Sequence, residues 1–248
     1  MDAIKFTLRG NTAFFKKPDV NSYYYFTYGC IHKVALLGIL GSIAGYSGYN
    51  QMKKDDIYPE FYEKLKDVKI GIVPRNPKGY ISKKVQVFNN SVGYASKEQG
   101  GNLIIKEQWL ENPKWDIYLL IQGEVESELA RRLSNSVFKY IPYLGKNDHI
   151  ADIENVVIIK NIEKINNPLK IDSIFNKNNF ELDDEDDGLD DLTETKEPIW
   201  KYEEKLPITL EKVTNKYELE SFIATNSDLR KVNESIVYKI EKNNIFFM

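Results

Sequence analysis

One cysteine and two histidines in 248 residues leave little material for the chemistries that depend on them. Cys30 by itself cannot form an internal disulfide or a cysteine-based metal site, which excludes zinc fingers and disulfide frameworks and suits a reducing cytosol. Long apolar runs are also missing. The longest covers residues 34–45, well short of the ~20 residues a membrane helix needs, so it reads as a buried core helix. Residues 1–6 alternate polar and apolar side chains and lack the charged-then-apolar pattern of a signal peptide. A cytoplasmic protein without membrane association is therefore expected. No P-loop, dinucleotide fingerprint, nucleophile elbow or metal motif occurs, so neither cofactor nor metal is expected.

What is present suffices for a substantial core, since 42% of the residues are hydrophobic. The formal charge of −3 argues against a nucleic-acid partner only on average. Residues 1–110 hold 16 Lys and Arg against 9 Asp and Glu, a net +7, whereas residues 181–197 hold 10 acids and one lysine. A basic body with an acidic loop remains compatible with phosphate binding, because the local surface potential governs association. The 181–197 stretch is too charged and too poor in aromatics to pack, and a mobile loop is expected there.

Ile4, Phe6 and Leu8 alternate with Lys5, Thr7 and Arg9, the period of a half-buried strand over 3–9. Residues 31–45 turn helical and apolar, with Gly38, Gly41 and Gly45 on one face. Glycines inside a helix cost roughly 1 kcal/mol each relative to alanine, so close contact of this face with a sheet is the expected compensation. A strand over 68–73, a hairpin over 83–109 and a strand over 116–122 follow. Val125, Leu129, Leu133 and Val137 then mark a second helix, and 153–159 marks a last strand. The order is βαββαβ with an inserted hairpin, an α+β, ferredoxin-like arrangement of the kind that also underlies the RNA recognition motif. The aromatic strand signature of that motif is absent, so any RNA must use other surfaces. Residues 1–165 form this domain, and 166–248, with strands expected over 208–213, 217–223 and 236–240, form a small antiparallel β region.

Three segments together resemble the CRISPR-associated protein 5 family of the RAMP superfamily. They are Gly10-Asn11-Thr12-Ala13-Phe14-Phe15-Lys16-Lys17-Pro18 after strand one, the glycine-punctuated helix from Lys33 through Gly45, and Tyr140-Ile141-Pro142-Tyr143-Leu144-Gly145-Lys146-Asn147 before the last strand. The length and acidic C-terminal insert are most similar to the type I-B branch. The resemblance implies a hairpin acting as a thumb and a non-catalytic role in antiviral defence. Members cap one end of the Cascade complex and bind the 5′ handle of the crRNA. They touch a CRISPR-associated protein 7 backbone subunit and a large subunit of the CRISPR-associated protein 8 type, and target DNA is read through guide pairing.

Candidate RNA contacts are Arg9, Lys16, Lys17 and Lys33 as phosphate cations, Tyr23 and Tyr25 from the aromatic run 23–28 as stacking faces, and Gly145, Lys146 and Asn147 as an anion-binding turn. His149 reads as a turn residue. On the thumb, Lys84, Val87, Phe88 and Tyr94 are candidates for contact with a partner or RNA, because exposed apolar ribbons mark interfaces. The rival reading is a metal-independent endoribonuclease that processes precursor crRNA, as in type I-C relatives. It would need His32, Tyr28 and Lys33 as acid, base and cation, although neighbouring positions 32 and 33 of a helix point about 100° apart.

Overall fold

The computed structural model describes residues 1–19, 22–183, 198–232 and 236–248. The alternating start of the chain forms β1 (Asp2–Arg9), followed by the two-residue strands β2 (Thr12–Ala13) and β3 (Tyr24–Tyr25), the helix α1 (Lys33–Ala44) and a short α2 (Glu60–Leu65). Next come β4 (Ile70–Pro74), the hairpin β5 (Lys83–Asn89) and β6 (Ile104–Glu111), β7 (Lys114–Ile121), α3 (Glu124–Ser134) and β8 (Asp152–Ile159). The rest is short strands: β9 (Glu163–Ile165), β10 (Phe175–Asn176), β11 (Phe180–Leu182), β12 (Lys201–Leu210), β13 (Tyr217–Thr225), β14 (Leu229–Val232), β15 (Val237–Ile240) and β16 (Asn243–Phe246). The expected class holds: α+β, with mostly antiparallel sheets and few helices. No helix among the described residues is long and apolar enough to cross a membrane.

The central sheet runs β4-β7-β1-β8 with every neighbouring pair antiparallel. Register places Ile4 opposite Leu119, Phe6 opposite Ile117 and Leu8 opposite Trp115, while Ile70 and Ile72 face Leu119 and Ile117 from the other side. These side chains share one face and pack with Leu36, Leu37 and Leu40 of α1 and Leu129 and Leu133 of α3. The opposite face is buried too: Ala3, Val73, Tyr118 and Leu120 lie under Ile240, Ile245 and Phe247. Burial on both faces explains why β7 reads as a nearly continuous apolar run rather than an alternation. Its one acid, Asp116, is held by Thr7 Oγ1 at 2.8 Å and Lys5 Nζ at 3.5 Å.

Several expectations need correction. The glycine face of α1 meets another helix, not a sheet: a Cβ on Gly41 would stand 2.5 Å from Cβ of Phe61 in α2, an element that the sequence reading passed over. Val137 lies beyond the end of α3 and is exposed, so the buried stripe stops at Leu133. The strand expected at 208–213 is the longer β12, which ends at Leu210. Of the expected acidic loop, Glu181 and Leu182 belong to β11, which pairs with β14; residues 184–197 lie outside the described residues. Residues after 165 also share the main core, since Ile171, Phe175, Leu206 and Phe222 pack with the first-domain cluster. Backbone bonds between Ile70 and Met248 and from Ile174 to Ile72 finish the free edge of β4.

The second-face packing leaves no room at Gly71, where a Cβ would overlap Ile245. Gly71→Ala should therefore destabilise the chain by about 1–3 kcal/mol, read as a lowered denaturant midpoint. Gly93→Ala, at a site with nothing within 4 Å, should leave the midpoint unchanged.

Candidate functional site

Folding joins two loops that the sequence separates by more than a hundred residues. Phe14 N–H donates to Leu144 O at 3.0 Å, and Thr12 Oγ1 lies 2.6 Å from His149 Nδ1. Gly145 sits at φ +102°, and any Cβ there would collide with the carbonyl of Phe14; only glycine allows this approach. The hairpin joins them, because β6 pairs with β2 through Thr12↔Glu111 and in parallel with β3 through Tyr24↔Lys106. Its root is thus tied into the body along one edge rather than projecting from it.

Hairpin register puts Lys84 beside Trp109, Gln86 beside Glu107 and Phe88 beside Ile105, all on one face. That face closes on Lys146. The buried carboxylate of Glu107, 4% exposed, accepts from Lys146 Nζ at 3.0 Å on each oxygen and from Trp109 Nε1 at 2.8 Å. The same ammonium lies 5.7 Å from the centroid of the Phe14 ring and 5.4 Å from that of Phe88. His149, buried beneath, meets Trp109 edge-on at 4.6 Å, and burial lowers its pKa.

Between this face and α1 runs an open groove of about 1500 Å³. It is lined by Ala35, Gly38, Ile39 and Ser42 of α1 and by the rings of Tyr25, Tyr46, Tyr49, Phe88, Trp109, Tyr140, Tyr143 and Tyr217. Rings outnumber charges. Lys16, Glu60, Glu107, Lys146 and Asp148 are the charged residues that line it, and Lys16 Nζ sits 4.1 Å over the Tyr25 ring.

Of the residues singled out from the sequence, Lys16, Tyr25, Gly145, Lys146, Phe88 and His32 line this groove. Lys84 faces Trp109 on the same hairpin face. Lys17 is bound to Glu204 at 2.7 Å. Arg9 pairs with Glu154 at 2.7 Å and Asp152 at 3.7 Å on β8, away from the groove. Lys33 is buried, with Nζ 3.4 Å from Met248 O, and burial pulls its pKa down to about 8. Arg9, Lys17 and Lys33 therefore do not form the expected cationic cluster, because acids or carbonyls from distant segments already engage them. Tyr23 is 87% exposed and outside the groove, as is Asn147. Val87 points to the outer face of the hairpin and Tyr94 stands exposed in its connection.

His32 and Tyr28 meet, but Lys33 is turned away from them toward Met248. His32 is the N-cap of α1: its Nδ1 accepts from Ala35 N–H at 3.2 Å, and its ring meets Tyr28, Tyr217 and Phe15 edge-on at 5.1–6.0 Å. With 3% exposure, burial pushes its pKa down to about 3. The Tyr28 hydroxyl is buried without a hydrogen-bond partner among the described residues, and burial raises its pKa. Sequence reasoning missed Trp109, Glu107, Tyr49, Tyr140 and Tyr143. The alternation Ile105, Glu107, Trp109 was the available signal for the first two.

A histidine whose pKa is lower folded than unfolded binds its proton more readily in the unfolded chain, so its contribution is complete above about 6.5 and lost as pH falls toward about 3. His32→Asn keeps a capping side chain but cannot titrate. Between pH 6 and 4 the wild type should lose about 1.4 kcal/mol per pH unit more than the variant, measured by denaturant unfolding at each pH. Parallel curves would show that His32 is not held neutral.

No family model and no curated protein sequence matches this one. Solved structures are similar in three dimensions. A chain of a CRISPR RNA-guided surveillance complex superposes with a TM-score of 0.52 at 10% identity, covering 92% of this chain and 90% of that one. A CRISPR protein from Archaeoglobus fulgidus gives 0.49 at 11% identity over 99% of both chains, and a chain of a type III-B Cmr-beta complex gives 0.46 at 11% over 91% and 85%. The first of these establishes a shared fold.

Proposed function

We propose that the chain is a non-catalytic, crRNA-binding subunit of a CRISPR effector complex. In this reading it is a member of the CRISPR-associated protein 5 family in a type I, I-B-like Cascade, where it caps the 5′ handle. Its protein partners are a CRISPR-associated protein 7 backbone subunit and the large subunit, and it reaches target DNA only through the complex. The strand order β4-β7-β1-β8, with α1 and α3 as the two crossovers, supports reading the body as ferredoxin-like with β5–β6 as its thumb. The fold shared with a surveillance-complex chain supports the same assignment.

The observation that carries the proposal is the groove. It is open, lined by many rings and by Ala35, Gly38, Ile39 and Ser42 of α1, and it carries Lys16 beside Tyr25. Such a channel suits single-stranded nucleic acid, since every base offers a π-face to stack and the strand lies between rings. Catalysis has no comparable support. Strand cleavage needs a base, an acid and a cation gathered at one phosphate, and His32 is engaged in capping while Lys33 faces Met248.

Tyr140, 57% exposed on the groove wall, should contribute by stacking. Tyr140→Ala is expected to weaken binding of single-stranded RNA by about 1–3 kcal/mol with the salt dependence unchanged, whereas Lys16→Glu should flatten the dependence on salt through lost counterion release. Fluorescence anisotropy across a salt series separates the two. Isolation from the native host should yield a uniform RNA and companion subunits, identified by native mass spectrometry and RNA sequencing. A chain always recovered alone and without RNA would refute the proposal. Added repeat RNA should remain full-length, and its cleavage would favour the endoribonuclease.

A further inference from the structure

His32 has one ring nitrogen left over. Nδ1 accepts the Ala35 N–H, so it carries no proton, and a neutral imidazole must then hold its proton on Nε2. The cap fixes the tautomer and the ring orientation together. Nε2–H has no hydrogen-bond partner among the described residues, yet the residue is buried and lines the groove. This nitrogen is not one of the fully enclosed polar atoms that lack a partner among the described residues, so it is reachable from the groove, and a groove ligand can supply the acceptor that the fold does not.

We infer that His32 presents Nε2–H to the groove as a fixed, uncharged donor that hydrogen-bonds a nucleobase acceptor, a carbonyl oxygen or ring nitrogen, of a bound RNA strand. This rests on the functional reading above and assigns base discrimination to one residue of the site. The surroundings select a base over a phosphate. Phe15, Tyr28 and Tyr217 collar the imidazole with rings, a setting for a flat, uncharged group, and the adjacent cation Lys33 is turned toward Met248. A phosphate placed there would give up its hydration for a single neutral donor. A base would keep its stacking and gain the bond.

The test uses the full chain and short single-stranded RNAs that differ only in base identity, oligo-A, oligo-C and oligo-U. Wild type should prefer some bases over others, and His32→Asn should compress the ratio of best to worst affinity by about three- to tenfold, with the salt slope retained because no phosphate contact is lost. A second readout does not depend on the variant folding. Nitrogen-15 spectra of the wild-type histidines should show the neutral Nε2–H tautomer for His32, with that proton shifting when RNA binds. An Nδ1–H tautomer, an imidazolium near neutral pH, or an Nε2–H signal unmoved by RNA would overturn the inference. So would a variant that binds RNA with undiminished discrimination, and this outcome leaves the functional reading standing. An equal loss for every base, absent with DNA, would move the acceptor to the 2′-hydroxyl and overturn the base assignment. Wild type that binds none of the RNAs would overturn the functional reading together with this inference.

Discussion

Glu107 takes a carboxylate into the interior of the chain, and the groove exists because of what that charge requires there. A buried carboxylate is stable only when paired and hydrogen-bonded. Lys146 and Trp109 meet that need, from the loop before β8 and from two positions along β6. The requirement reaches further than the pair. Lys146 also rests against Phe14 and Phe88, so a single ammonium joins the loop after β1, both strands of the hairpin and the loop preceding β8. Those elements are the walls of the groove, and their spacing follows from satisfying one acid.

Glu204 plays a corresponding part for the C-terminal region. Its carboxylate accepts from Lys17 Nζ at 2.7 Å, from Gly29 N–H at 2.8 Å and from the Tyr202 hydroxyl at 2.6 Å, clasping both ends of the aromatic segment that contains Tyr25. Tyr217, from β13, reaches the groove wall itself. The region after residue 165 is thus a scaffold for the site as well as a cover for the sheet.

This economy of charge gives the site its character. Arg9, Lys17 and Lys146 each find a carboxylate nearby, and Lys33 is buried. The groove is lined mostly by aromatic surface, with a capped imidazole and the charged residues Lys16, Glu60, Glu107, Lys146 and Asp148. Recognition by rings depends little on salt and tolerates base identity, so selectivity must come from directional groups held rigid within the rings. His32, oriented by the helix it caps, is placed for that task.

The amino-acid sequence by itself determined the elements whose periodicity is carried by apolar side chains: β1 from Ile4, Phe6 and Leu8, α1 from its apolar run, and α3 from Val125, Leu129 and Leu133. It singled out Gly145 only as part of an anion-binding turn, whereas the close approach of the Phe14 carbonyl that requires glycine there is a tertiary contact. Tertiary structure alone decided which cations stay at the groove, because ion pairs such as Lys17 with Glu204 join residues with no relation in the linear pattern. It likewise decided that Tyr140, Tyr143 and Trp109 line one groove, and that His32 is a neutral cap among rings. A hydrogen bond or an ion pair leaves no period in the sequence, whereas burial of a strand or helix face does, and that difference divides what was legible from what was not.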